Sequence, residues 1–357
     1  MKKLSLVMIV KDEERCIGRC LESVKEIVDE MIVVDTGSKD KTKEIALNMG
    51  AKVFDYKWNN DFAAARNYAL RQSSGEWNLV LDADEYIRNV NQEALFSFME
   101  DEKKLGRIKV VNILGSIEDV KYSQVFVSRL LPKGTYYVGC IHEQPNSQLI
   151  AYDVPIQVYH DGYLSQEIKV KRNLAFLKEQ VVKSPRNSYL LYQLAYTLLL
   201  NKEYKVAEKY FKKFYQLVNE KASYRSQGII YFIENYKYLG KFEEGHQLIQ
   251  KEESRLQYYS QFYFVCAEFY REYVLSDVRK NIRYLPLVEA CYLECLKIGE
   301  NNCDGAIGTG TFLAAYNLGA WYEVSKQFDK AAKYYDMAIK WGYDKATERY
   351  RKVKKEK

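Results

Sequence analysis

Short apolar runs alternate with helix-like stretches over the first 115 residues of the chain. SLVMIV (Ser5–Val10) is a continuous apolar run, as expected of a strand that is buried on both faces of a sheet. MIVVD (Met31–Asp35), Ala51–Asp55 and WNLVLDAD (Trp77–Asp84) are the next three strand candidates. Strands that alternate with helices predict a mostly parallel sheet with right-handed crossovers. The sequence therefore predicts an α/β domain at the start of the chain.

The pattern changes twice after this region. Between Ile108 and His160 the segments are short and β-like, and we expect them to extend the first domain as antiparallel strands. After Gly162, Tyr, Leu, Ala and Phe recur at helical spacing. A chain of 357 residues is long enough for two domains. We predict an α/β domain at residues 1–165 and an all-α domain at residues 166–357.

A weak internal repeat runs through the predicted helical domain. Small and aromatic residues recur at the same offsets in two places, with Ala195, Ala207 and Phe211 in one copy and Gly319, Ala331 and Tyr335 in the other. This is the tetratricopeptide pattern, in which small residues lie where two helices cross closely. The high count of 32 tyrosines is therefore predicted to serve packing between helices.

The composition excludes several classes of protein. A chain with 47% apolar and 29% charged residues is typical of a globular protein and too apolar for a disordered one. The net charge of +6 is spread thinly, without the basic stripe of a nucleic-acid-binding protein, and no apolar run is long enough to span a membrane. The apolar stretch Leu4–Val10 is short for a signal peptide and a charge cluster follows it, so we expect a cytoplasmic protein. Seven scattered cysteines are expected to be reduced thiols.

Acidic residues stand where the predicted parallel strands end, which is where ligands bind on such sheets. Asp82 and Asp84 close the fourth strand, and on an extended chain two side chains one residue apart point the same way. Both carboxylates are then expected to reach one divalent cation that holds a substrate diphosphate. The alternative is a solvated turn. Asp35 ends the second strand before a Gly turn, where it can accept hydrogen bonds from a nucleoside, while Ser38 or Asp40 caps the next helix.

Further candidates lie in a predicted helix and in two later segments. Asp61 opens the helix that contains Arg66, and Arg66 can offer a planar donor fork to phosphate or uracil oxygens, or form a salt bridge to a strand-end carboxylate. Glu143 is a candidate general base, and His142 could orient it or contact phosphate. His160 is a candidate third metal ligand; the alternative for each histidine is a packing role. No dinucleotide or P-loop motif is present, which argues against a dehydrogenase or an ATPase.

Six segments of the first 165 residues together resemble a known family; in order they are LSLVMIVKDEERCIGRCLESV, IVDEMIVVDTGSKDKTKEIA, NDFAAARN, WNLVLDADE, GCIHEQP and VYHDGY. The family is the family 2 glycosyltransferases, which have the GT-A nucleotide-sugar fold. More narrowly, the chain resembles the branch that carries tetratricopeptide helices after the catalytic domain. That branch includes bacterial peptide S-glycosyltransferases that modify glycocin bacteriocins.

The resemblance implies a role for each candidate residue. The backbone near Val10 and the Asp35 side chain would hold uridine, and Arg66 would lie near the base or the diphosphate. Asp82 and Asp84 would bind Mg²⁺ or Mn²⁺ that bridges the two phosphates, with His160 on or near the metal. Glu143, beside His142, would be the catalytic base of an inverting single displacement. The implied UDP-sugar site consists of Val10, Glu13, Asp35, Asp61, Arg66, Asp82 and Ala83.

The expected function is transfer of a hexose, glucose first, from a UDP-sugar to a Cys or Ser of a small peptide such as a glycocin precursor. The helical repeats would form the groove that binds the peptide. They would also form the interface of a homodimer. One alternative is a glycosyltransferase that acts on a cell-surface or lipid-linked glycan. Another is a non-enzymatic repeat scaffold, against which the intact acidic set argues. A nucleotidylyltransferase would need a Gly-rich basic loop after the first strand, which is absent.

Overall fold

The computed structural model describes residues 3–115, 120–161 and 166–356 and divides the chain into two compact units, Met1–Glu167 and Ile168–Lys357. The first unit contains strands β1 (Leu4–Val10), β2 (Glu30–Asp35), β3 (Lys52–Asp55), β4 (Trp77–Val80), β5 (Glu85–Val90), β6 (Lys104–Gly115), β7 (Val120–Pro132), β8 (Tyr137–Val138), β9 (Gln144–Pro145) and β10 (Ile150–His160). Its helices are α1 (Ile17–Val24), α2 (Thr42–Asn48), α3 (Phe62–Gln72) and α4 (Gln92–Met99).

The main sheet of this unit has the strand order β3-β2-β1-β4-β7-β6-β10-β5. Strands β1 to β4 are parallel neighbours, whereas β7 is antiparallel to both β4 and β6. The expected extension is thus largely antiparallel, but β10 pairs in parallel with β6 and antiparallel with β5. The sheet is mixed and mostly parallel, as the sequence predicts for a GT-A domain.

Strand β1 is buried on both faces of this sheet. Leu6 and Met8 belong to a core that α1, α2 and α4 complete on one face. Val7 points to the other face, where it packs with Ala69 and Leu70 of α3. Each fully buried aliphatic side chain of this kind stabilises the fold by about 1.5–3 kcal/mol. The double burial fixes the register of β1 and places its carboxyl end beside those of β2 and β4.

The second unit is a series of helices. They are α5 (Gln166–Lys183), α6 (Ser188–Leu200), α7 (Tyr204–Leu217), α8 (Arg225–Leu239), α9 (Phe242–Leu256), α10 (Ser260–Ser276), α11 (Val278–Asn281), α12 (Leu285–Ile298), α13 (Phe312–Val324), α14 (Phe328–Lys340) and α15 (Lys345–Lys355). None of the described helices is both long and apolar enough to cross a membrane. The repeat seen in the sequence corresponds to the helix pairs α6–α7 and α13–α14, and α8–α9 is a third pair.

The three helix pairs share one turn. Lys202, Gly240 and Lys326 each follow or closely follow the first helix of a pair and adopt a left-handed conformation, with φ of 61°, 66° and 56°. The next residue of each turn donates its N–H to a carbonyl five residues back, as in Glu203 to Leu198 and Gln327 to Tyr322. The sequence repeat is therefore a backbone repeat, with glycine at the turn in only one of the three copies.

The shared turn predicts opposite effects of two substitutions. Lys326→Gly is expected to stabilise the helical unit by up to about 1 kcal/mol, because a side chain in the left-handed region is strained. Gly240→Ala is expected to destabilise it by a similar amount for the same reason. Thermal unfolding of both variants measures the two effects. The same sign for both substitutions would contradict this account of the turn.

Tyrosine is favoured over phenylalanine in this unit because its hydroxyl connects helices. Tyr273 donates to Glu243, Tyr322 donates to Glu289, and Tyr335 donates to Glu323. Burial and the neighbouring carboxylate together raise the pKa of these phenols, so they remain donors at neutral pH. The rings themselves pack against other rings, as in the stacked pair Tyr273–Tyr284.

Candidate functional site

The first part of the site lies where β1 and β2 end side by side. Val10 pairs with Asp35 in the strand register, and the Val10 carbonyl accepts from both the N–H and the hydroxyl of Thr36. One carboxylate oxygen of Asp35, Oδ2, accepts the N–H groups of Gly37 and Ser38, each at 3.0 Å. The other, Oδ1, is buried and has no hydrogen-bond partner among the described residues. A buried acceptor without a partner is costly, so it indicates a place for a ligand donor.

The loops after these two strands hold each other in place. The N–H of Asp12 donates to the hydroxyl of Ser38, and Asp12 Oδ1 accepts the N–H of Lys39. Ser38 therefore contacts the first loop, while Asp40 accepts the N–H of Thr42 at the start of α2. Glu13 is held in the same way, because its N–H donates to the Thr42 hydroxyl and its carboxylate accepts from the Cys16 thiol.

The strand that carries the two aspartates ends earlier than the sequence predicts. Strand β4 ends at Val80, and residues 81–84 form a turn before β5 begins at Glu85. The expectation that Asp82 and Asp84 point the same way from an extended chain is therefore wrong, because the chain is not extended there. The turn directs Asp82 toward two arginines and Asp84 toward a histidine. Ala83, between them, is buried in the core.

Asp82 lies at the centre of a chain of charged side chains that we call the charge network: Glu143, Arg66, Asp82, Arg129 and Glu85. Arg66 Nη2 donates to Asp82 Oδ1 at 2.7 Å, and Arg66 Nε donates to Glu143 at 2.5 Å. Arg129 Nη2 donates to Asp82 Oδ2 at 3.0 Å, and Arg129 Nη1 donates to Glu85 at 3.1 Å. For Arg66 the sequence left two roles open, binding a ligand or forming a salt bridge to a carboxylate at a strand end. The structure shows the salt bridge, to Asp82. Arg66 Nη1 remains buried and unpaired within the described part of the chain.

The arginines set the ionisation of the carboxylates. Burial would raise the pKa of Asp82, but Arg66 and Arg129 outweigh it and hold that pKa well below its usual range. The pKa of Glu143 is also lowered, because Arg66 outweighs the effect of burial. Glu85 differs: burial raises its pKa despite Arg129. Asp82 and Glu143 therefore carry negative charge at neutral pH.

Asp84 and His160 form a separate pair in the same region. His160 Nε2 lies 3.2 Å from Asp84 Oδ2, and His160 Nδ1 lies 2.9 Å from Asn112 Oδ1. Burial lowers the pKa of His160, but the hydrogen bond to Asp84 outweighs it and the pKa is raised. Both ring nitrogens face oxygen acceptors, so the imidazole needs either two protons or one proton and a cation.

The carboxylate and the imidazole of this pair are groups that can bind a divalent cation. In the ranges 3–115, 120–161 and 166–356, no cluster of three or more His, Cys, Asp and Glu side chains has metal-binding geometry. Asp84 and His160 offer two ligands, and Mg²⁺ is commonly held by one or two protein groups with the remaining positions on phosphate and water. Asp82 is engaged by arginines on both oxygens, so its predicted metal contact remains a prediction.

The remaining predicted residues lie close to the charge network in different roles. Asp61 caps α3, since its Oδ1 accepts the N–H of Ala64 at 2.9 Å, and the Cys140 thiol donates to its other oxygen. His142 has a left-handed backbone, with φ of 52°, and its Nε2 is buried without a partner in the part of the chain that the structure describes. Burial lowers the pKa of His142, so it is neutral at pH 7. Arg66, rather than His142, is the hydrogen-bond partner that orients Glu143.

Sequence reasoning missed Arg129, Glu85 and Asn112. The signal for Arg129 was one cation inside the otherwise apolar run VFVSRLL, and a charged residue in a buried strand needs a partner. Asn112 had no comparable signal, because it lies in β6 and reaches His160 only through the pairing of β6 with β10. In the segment VYHDGY, residues 162 and 163 lie outside the described residues.

The sheet order and the acidic strand ends define the first unit as an α/β domain with a mixed sheet and carboxylates at the carboxyl ends of its parallel strands. Residues 5–122 match the model of the family described as Glycosyl transferase family 2. The chain therefore carries a family 2 glycosyltransferase domain at its N-terminus, followed by tetratricopeptide-like helices.

Two curated relatives span both units in part. A TPR repeat-containing protein of Synechococcus elongatus is 32% identical over 231 residues, which are 60% of this chain and 56% of that protein. The SPbeta prophage-derived glycosyltransferase SunS of Bacillus subtilis is 29% identical over 227 residues, which are 58% of this chain and 51% of that protein. The chain thus matches about half the length of each relative.

Among solved structures, glucosyl-3-phosphoglycerate synthase from Mycobacterium tuberculosis, in complex with Mn²⁺ and UDP-glucose, is similar to part of the chain. The identity is 23%, the match covers 31% of this chain and 44% of that one, and the TM-score is 0.26. An overlap of this size has no bearing on function.

Proposed function

We propose that this chain transfers a hexose from a UDP-sugar to a cysteine of a small peptide in one inverting displacement. The observation that supports it most is that Asp35 ends β2 while Asp82 and Asp84 follow β4, so the Asp84–His160 pair and the charge network lie at the same edge of the parallel strands as Asp35. The family 2 match and the resemblance to transferases of glycocin peptides support the same reaction. Glucose is the first sugar to test.

The donor would occupy the groups that the structure leaves unpaired. Asp35 Oδ1 would accept an N–H or O–H of uridine, beside the loop that Ser38 and Asp12 hold. Arg66 Nη1 would donate to a diphosphate oxygen, which would satisfy its buried N–H groups. Asp84 and His160 would hold Mg²⁺ or Mn²⁺, which when bound neutralises charge on the departing UDP.

Glu143 would accept the proton of the attacking acceptor atom. Because Arg66 lowers its pKa, Glu143 is ionised at neutral pH but is a weak base. A weak base suits a thiol, whose ordinary pKa of about 8.5 is far below that of an alcohol. This match favours S-linkage over O-linkage. The peptide itself would lie along the helical repeats, since stacked helix pairs form extended binding surfaces.

The experiment compares acceptors with one donor. Purified protein is incubated with UDP-glucose, Mn²⁺ and a synthetic peptide that contains one Cys, its Ser counterpart, or a lipid-linked glycan, and products are identified by mass spectrometry. A hexose on the Cys peptide supports the proposal. Transfer to the glycan alone would favour a glycan acceptor. If the protein shows neither hexose transfer nor UDP-glucose hydrolysis, the proposal of a transferase is refuted.

The role of Glu143 predicts an acceptor-dependent effect of Glu143→Gln. With a Cys acceptor kcat is expected to fall about 10²-fold, and with a Ser acceptor the loss is expected near the upper end of the 10²–10⁴ range for general bases, because an alcohol needs more help. Affinity for UDP is expected to change little, because the amide oxygen of Gln can still accept the hydrogen bond from Arg66 Nε. The control is Glu100→Gln, an exposed position at the end of α4. Equal kcat for Glu143→Gln and wild type would show that Glu143 is not the general base of the reaction.

A further inference from the structure

Arg129 lies at an irregularity of strand β7. Gly106 of β6 pairs with Leu130, whereas the next residue, Arg107, pairs with Ser128, so Arg129 is one extra residue in β7. The core contacts show the same shift: Val127 and Leu130 pack in one cluster although their spacing in a regular strand would put them on opposite faces. Such a β-bulge turns a side chain away from the regular alternation, and bulges are common beside active sites.

The bulge also marks the point where β7 separates from β4. The pairing of these two strands ends at Leu79 and Leu130. Immediately beyond it, the guanidinium of Arg129 reaches across the gap, with Nη1 at 3.4 Å from the Val80 carbonyl. Arg129 thus contacts the last residue of β4 as well as Asp82 and Glu85 in the turn that follows.

Arg129 and Glu85 together fix the turn that carries Asp82 and Asp84. Glu85 accepts the N–H of Asp82 at 2.9 Å, and the N–H of Glu85 donates to the Asp82 carbonyl at 3.0 Å. The Glu85 side chain is 4% exposed and that of Arg129 is 17% exposed, so their contact is shielded from water. Removal of the guanidinium would leave two carboxylates, Asp82 and Glu85, with Arg66 as the one remaining arginine of the charge network.

We propose that Arg129 is a positioning residue for donor binding: from the bulge it holds the turn of residues 81–84 so that Asp84 faces His160 and Arg66 stays on Glu143. This inference rests on the proposed function and extends it to a residue that would not contact the donor. Without Arg129, Arg66 is drawn to the two uncompensated carboxylates, and the turn loses its fixed position. The expected result is a lower affinity for the diphosphate end of the donor.

The test measures UDP binding by calorimetry, with and without Mn²⁺, and the kinetics of UDP-glucose hydrolysis, all on the full chain. Arg129→Met is expected to raise the Kd for UDP with Mn²⁺ and the KM for UDP-glucose about tenfold or more, the effect of losing charge-assisted hydrogen bonds, with a much smaller change in kcat. Arg129→Lys should recover part of the affinity, because an ammonium can reach one carboxylate but cannot span two.

The matched control is Arg107→Met, across the bulge on β6, where the arginine pairs with the half-exposed Asp153. It should leave both constants unchanged. Folded Arg129→Met protein with wild-type Kd and KM, or a loss confined to kcat, would overturn the inference. Should Arg129→Met fail to fold, Glu85→Gln replaces it: a several-fold rise in Kd supports the inference and an unchanged Kd overturns it. Absence of UDP binding by the wild type would refute the proposed function itself.

Discussion

If the proposed cation site operates, Asp84→Ala is expected to lower hexose transfer at least about a thousandfold, because a bound cation would supply several kcal/mol of transition-state stabilisation. Asp84 is the acidic partner of His160, and its side chain is only 12% exposed. Its removal would leave His160 as the one protein ligand of the proposed cation site. Transfer from UDP-glucose is the measurement, and UDP affinity in the variant should no longer respond to Mn²⁺.

The control for this substitution is Asp55→Ala. Asp55 ends strand β3, which pairs with β2 and not with β4; its side chain is 77% exposed and pairs with Lys43. It should have full activity, and both variants should have the circular dichroism of the wild type. Full activity of Asp84→Ala with a chelator present would exclude a cation at this position.

Glu252→Ala is expected to destabilise the helical unit by about 3–5 kcal/mol, the typical result of removing one partner of a buried ion pair. Glu252 is fully buried in α9 and accepts hydrogen bonds from both terminal nitrogens of Arg225, at 2.8 and 3.0 Å. Tyr215 of α7 donates to the same carboxylate. The substitution would leave the Arg225 guanidinium buried without its counter-ion, so three helices would lose a shared contact. The urea midpoint of helix loss measures the effect.

Glu253→Ala is the matched control, since Glu253 is the next residue on α9 and is exposed. Its effect should stay within about 0.5 kcal/mol. The double variant Arg225→Met with Glu252→Leu tests the cause, because replacement of both charges by apolar groups is expected to recover most of the lost stability. An equal loss for Glu252→Ala and Glu253→Ala would mean that burial of the pair is unimportant.

The fold could be predicted where local pattern and tertiary environment agree. The apolar run of β1 is buried on both faces, as its sequence indicates, and the spacing from Ala195 to Ala207 corresponds to a helix pair. The parallel pairing of β10 with β6 could not be predicted, because short β-like segments fix neither their neighbour nor their direction. Asp61 was predicted both to open α3 and to bind the donor; the structure shows the cap, and the donor contact remains a prediction.

The site could be predicted at the level of residue types but not of partners. Asp82 and Glu143 lie 16 and 77 residues after Arg66 in sequence, and only the folded chain shows that one guanidinium joins the two carboxylates. The early end of β4 at Val80 had no sequence signal, because Leu81 continues the apolar run into the turn. The bulge at Arg129 depends on the register between two strands, which one sequence does not specify.

Because each helix pair of the second unit packs mainly on its neighbours, loss of structure need not spread through all of them at once. Helix α15 packs on α14, has a strongly basic last turn and buries only Ala346 and Val353. The amide protons of α15 should therefore exchange early, and those of helices with many buried residues, such as α8 and α10, should exchange last.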